Sequence, residues 1–226
     1  MRAWTAERLG AIAGVGFIVL TVIGDTIGGS PPGTDDSAAT IASFFQQHHR
    51  AVVLNVILTG AGAALFMWLV AAIALQLRAV GQAGWAAVAF ALGVSAAALG
   101  IVSDAIYGAL ARIGTGGDLG LIRGLYQLDG FVTVKSFWLA AVAILAVGMA
   151  AWTSLPRWYA AVSLGAAVLS ALGGIAVKQS GFLAPLGGLT LIAFLAILVW
   201  VLGTSYIVWR GSEAAGVEVR QAPAMG

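Results

Sequence analysis

Between Arg50 and Arg78 the chain reads AVVLNVILTGAGAALFMWLVAAIALQL, residues 51–77, without one charged side chain. A helix of that length rises about 40 Å, whereas the hydrocarbon core of a bilayer is about 30 Å thick, so the stretch can cross with turns to spare. Working outward, long apolar runs recur at 9–27, 84–110, 136–153, 158–177 and 186–209, each bounded by a charge, a Pro or a Gly-rich stretch. None has the polar/apolar alternation of a barrel strand, and backbone amides in lipid must be bonded internally, so each run is read as a helix. The expected fold is all-α: a bundle of six membrane-spanning helices over residues 1–210, with a short tail, 211–226, expected to be disordered.

Composition supports the same reading. Of the 226 residues 61% are apolar and only 9% charged, with a mean hydropathy of +0.99. A soluble domain carries about a quarter of its residues as charges, so water cannot be the solvent for most of this surface. The absence of Cys removes disulfides, thiolate metal sites, iron–sulfur clusters and a cysteine nucleophile. A net charge of only +2, with no run of Lys or Arg, leaves nothing to track a nucleic acid. Nine of the eleven bases are Arg, and Ala and Gly abound, which points to a GC-rich bacterial source.

Arg2 and Arg8 before the first run satisfy part of a secretory signal, but the run is long and no A-x-A site follows it, so it is read as a span. Placing both termini in the cytoplasm puts Arg2, Arg8, Arg78, Arg157, Arg210 and Arg220 on the inner side, with less chain. Arg50, Arg112, Arg123, Lys135 and Lys178 then fall outside, on longer segments. That bias favours a multi-pass protein of the cytoplasmic membrane, and Trp4, Trp85, Trp152, Trp158 and Trp209 gather at its inner interface. Gly10 and Gly14 make a GxxxG step, with small residues at the same spacing in Ala161/Gly165 and Ser170/Gly174. Such steps let helices approach closely, within one chain or between copies. Two external amphipathic helices are expected. One covers 36–49, with Ile41, Phe44, Phe45 and His48 on one face; the other, weaker, covers 118–129 with Leu119, Ile122, Leu125 and Tyr126.

An ionisable group at membrane depth costs about 2.5–3.5 kcal/mol or more, so each needs a reason. Asp25 ends the first run, Asn55 and Thr59 begin the second, Asp104 and Tyr107 lie near the outer end of the third, Lys135 opens the fourth and Lys178 closes the fifth. These groups share one level. Asp25, Asn55, Asp104, Tyr107, Lys135 and Lys178 are therefore the candidate ligand-binding residues of an outward-facing polar cavity, with the acids as proton or cation sites and the lysines as counter-ions. The Asp104/Lys135 pair is its most informative element. The plainer reading is that Lys and Asp at helix ends snorkel to the headgroups or hold helices in register.

His48 and His49 are adjacent and point about 100° apart on a helix, so they form no chelate, and no third His exists. No phosphate-binding loop, catalytic triad or acidic metal cluster is recognisable. Neither catalytic residues, a metal nor a cofactor is expected.

The hairpin Ser154-Leu155-Pro156-Arg157-Trp158 with Gly165 beyond it, the opening Arg8-Leu9-Gly10-Ala11-Ile12-Ala13-Gly14, and Phe44-Phe45 with His48 ahead of the second run carry a resemblance. In these the chain resembles a broad group of small bacterial six-span integral membrane proteins known only as a domain of unknown function. The resemblance implies topology and no catalytic residues. The expected function is a non-enzymatic binding, sensing or accessory component, in contact with membrane lipids, a small ligand at the outer leaflet, and a second copy or a partner membrane protein. The alternatives are a small-solute or proton-coupled transporter, and a membrane enzyme acting on lipid or isoprenoid substrates.

Overall fold

The computed structural model describes residues 6–221 except 115, 179 and 186, and side chains as far as Ser212. Its helices are α1 (Ala6–Gly28), α2 (Ala38–Gln47), α3 (His49–Ala79), α4 (Ala83–Ile113), α5 (Leu119–Ser154), α6 (Arg157–Gly173) and α7 (Gly188–Gln221). The described residues contain no strand. Five helices are long and apolar enough to cross a membrane: α1, α3, α4, α5 and the Gly188–Ser212 part of α7. This matches a multi-pass membrane protein. At 17 residues α6 is shorter than the other five.

The long helices alternate in direction, as the short connections between α3 and α4, α4 and α5, and α5 and α6 require. In chain order each packs on the next, and α7 returns to α1, so α1, α3, α4, α5, α6 and α7 close a ring. Small residues set the approach. Gly10 lies against Ala72, Gly14 against Ser205 and Leu69, and Gly173 against Ala193, so a Cβ at any of them would displace a neighbour. By contrast Gly165 meets nothing within 4 Å and faces outward. The turn from α3 to α4 needs Gly81, whose φ of 82° follows the last helical turn where an L side chain would be strained. On α6 and α7, Trp200 Nε1 donates to Ser163 Oγ at 3.1 Å, and Tyr159 Oη and Thr204 Oγ1 are 2.8 Å apart. This polar pair joins the two helices inside the main apolar core.

Several expected boundaries move. The segment 118–129 is no separate helix but the start of α5, whose buried positions Ile122, Tyr126, Gly130, Val134, Phe137 and Ala141 form one uninterrupted stripe. Lys135, which marked the start of a span, is merely on the exposed face of that stripe. The 36–49 segment is a true short helix, α2, capped by Ser37 through Thr40 N–H at 3.1 Å. The chain then breaks at His48, with φ −108° and ψ 17°, before α3 starts. α2 lays Ile41, Phe44 and Phe45 over the tips of α3, α4 and α5, where they meet Val52, Leu110 and Tyr126 in a second core. Both imidazoles serve helix ends: the Nδ1 of His48 lies 3.1 Å from Phe44 O and that of His49 lies 2.8 Å from Ala111 O, so each such nitrogen carries the hydrogen. α6 ends at Gly173, short of the expected 177, and α7 runs as helix to Gln221. Arg2 and Trp4 lie outside the described residues.

Candidate functional site

The ring does not fill its own centre. At the end where α1 and α4 finish and α3, α5 and α7 begin, a cavity of about 530 Å³ opens between these five helices. Its polar wall is built in two linked groups. On α1 and α3, Asn55 Nδ2 donates to Asp25 Oδ1 at 3.3 Å, and Gly28 sits so close to Asn55 that a Cβ there would come within 3.2 Å of Nδ2. One turn along α3, Thr59 Oγ1 lies 2.9 Å from Asp104 Oδ1 on α4 and also 2.9 Å from its own helix's Asn55 O. On α4 and α5, Ser103 donates a short hydrogen bond to Asp129 and lies 2.9 Å from Thr133 Oγ1. Tyr107, Ser136 and Thr190 complete the polar rim.

Of the residues singled out in the sequence, Asp25, Asn55, Asp104 and Tyr107 are brought together on this wall. Lys135 and Lys178 are exposed and are not among the residues lining it, and the side-chain partner of Asp104 is Thr59. Asp129, 5% exposed and lining the cavity, was not singled out; nor were Ser103 and Thr133. The available signal was the i, i+4 step from Asp129 to Thr133 on the stripe that continues through Phe137, visible once α5 is treated as a single helix. Among the described residues the lining thus holds three carboxylates and no Lys, Arg or His. Thr21 also lines the cavity, 7% exposed, with its hydroxyl unpartnered among the described residues.

Deeper in, the wall turns apolar. Phe17, Phe66, Phe137, Phe194 and Ile197 form the floor. Beneath it Val70, Ile73, Ile144, Val147 and Trp200 leave a void of only about 10 Å³, room for no more than one water. The cavity is blind. Its chemistry suits a positively charged or hydrogen-bond-donating group against the carboxylates and an apolar group below; an anion would find no basic side chain to receive it.

No family model matches the chain, and no curated protein or solved structure is significantly similar to it.

Proposed function

We propose that the chain is a six-span integral membrane protein, with α6 as the short sixth span and both termini in the cytoplasm, that binds a small cationic solute in this one-ended cavity. It acts as a binding, sensing or accessory component rather than as an enzyme. One observation carries the reading: a cavity within the roughly 300–1,000 Å³ range of small-molecule sites is lined by Asp25, Asp104 and Asp129 without any basic side chain to neutralise them. The floor favours binding over transport. A carrier must expose its site to both sides in turn, and Phe66, Trp200 and their neighbours pack the bundle solidly below. The proposed orientation follows the arginine bias, and the exposed apolar side chains of α1, α3, α4, α5 and α7 supply the lipid-facing surface.

The test is calorimetric titration of the protein in nanodiscs with tetramethylammonium chloride. Saturable binding is expected for the natural chain and a loss of at least about tenfold in affinity for the Asp104→Asn/Asp129→Asn double variant, since the attraction is electrostatic and no basic side chain in the lining competes for the carboxylates. Absence of saturable binding, or identical titrations for the two proteins, would overturn the reading.

A further inference from the structure

We infer that the cavity admits its ligand sideways from the bilayer, between α1 and α7, and that the ligand is a cationic amphiphile: a single positive head on an apolar body, with no adjacent phosphate. This rests on the cation-binding reading above and narrows it.

The walls differ in how they are sealed. α1 is closed onto α3 along the whole cavity by Gly24 against Thr59, Gly28 against Asn55 and Gly62 against Thr21. Thr59 with Asp104 joins α3 to α4, and Ser103 with Asp129 and Thr133 joins α4 to α5. At the α1–α7 seam the close contacts lie towards the other end of the bundle. Arg8 Nε donates to Ser212 Oγ at 3.4 Å, the Arg8 guanidinium stands over the Trp209 ring at 5.7 Å, and Gly14 meets Ser205. Towards the cavity, Asp25 of α1 and Leu191 and Phe194 of α7 line the same space. Leu191 is 57% exposed while lining it, so the seam there is a window.

The top is roofed. Tyr126 Oη donates to Pro32 O at 2.5 Å, and Pro185 lies against Gly130, where a Cβ would come within 3.1 Å of the ring, with Thr34 beside them. Pro32, Thr34 and Pro185 therefore lie over the start of α5 and narrow the mouth from above, which favours access from the side. An amphiphile entering from lipid keeps its head at the level of Asp25, three residues before the end of α1, and slides its apolar body over the phenylalanines of the floor. A zwitterionic phospholipid fits poorly, because its phosphate would face three carboxylates with no base to receive it.

Binding of octyltrimethylammonium, octanesulfonate and tetramethylammonium to the protein in nanodiscs, corrected for uptake by empty nanodiscs, tests the inference. Octyltrimethylammonium should bind at least about tenfold more tightly than tetramethylammonium, and octanesulfonate should show no saturable binding. Leu191→Trp should slow octyltrimethylammonium association at least about fivefold, whereas Leu195→Trp, on the same helix, 50% exposed and outside the lining, should leave it unchanged. Equal affinity of the two cations would overturn the amphiphile and leave the cation reading standing. Unaltered association in the Leu191 variant would overturn the lateral window. Failure of both cations to bind would remove the cation reading along with both.

Discussion

The hydroxyl of Thr59 has one hydrogen and two oxygens at 2.9 Å, the backbone carbonyl of Asn55 and the carboxyl of Asp104. It can satisfy one fully at a time unless Asp104 brings a hydrogen of its own, so this residue joins the carboxyl on α4 to the helix that carries Asn55 and, through it, to Asp25. Thr59→Val keeps the shape and removes the donor. Leaving a half-buried carboxyl without its partner should lower stability by about 1–3 kcal/mol, and Thr59→Ser should restore most of it. Thermal unfolding of the three proteins in one detergent checks this, and equal midpoints would count against the linkage. The same residues show what one sequence can reveal. That Asp25, Asn55 and Asp104 share a level follows from their distance to helix ends, whereas direction around a helix does not. Lys135 and Lys178 carry the same signal of position near a run's end, yet both are exposed and outside the lining. A helix that is apolar all round carries no amphipathic signal to say which side turns inward.

For an element, the instructive case is α5, whose 36 residues, Leu119–Ser154, follow the Asp118 cap. Dividing it at Lys135 placed Asp129 in an external segment and hid its role in the cavity wall. Charge marks where a helix meets water only when the charged side chain has no exposed face of its own to occupy, and here it has one. A glycine inside a helix costs about 0.5–1 kcal/mol relative to alanine, and Gly124 is exposed with nothing within 4 Å of an added Cβ. Gly124→Ala should therefore raise the unfolding midpoint measurably. A substitution without effect would mean that 119–129 does not unfold with the rest of α5. α2 was legible because it is two-faced: Ile41, Phe44 and Phe45 are buried on one side, and Ser37 announces its start. The break at His48 was not, since no Gly or Pro marks it.

For the whole molecule, the apolar runs could be read directly, and five of the six runs expected to cross fall in helices long enough to do so, because crossing lipid imposes a length that few sequences meet by accident. The ring order could not, nor could the gap left at its centre, which depends on where Gly10, Gly14 and Gly62 let α1 settle against its neighbours. The chain contains no Cys, so single cysteines report topology without background. In intact cells a membrane-impermeant maleimide should label Asp36→Cys, Asp118→Cys and Lys178→Cys, and should reach Gln82→Cys and Arg157→Cys only after permeabilisation. Labelling of Lys178→Cys together with Arg157→Cys would mean that α6 does not cross, and a full inversion of the pattern would reverse the orientation. With α6 as a crossing, its 17 residues rise only about 26 Å, against the roughly 30 Å of an ordinary hydrocarbon core. The mismatch costs fractions of a kcal/mol per Å and is relieved when the bilayer thins beside the helix. One flank of the protein should then pinch the two leaflets together, gather lipids with short tails, and set the molecule more comfortably in thin membranes than in thick ones.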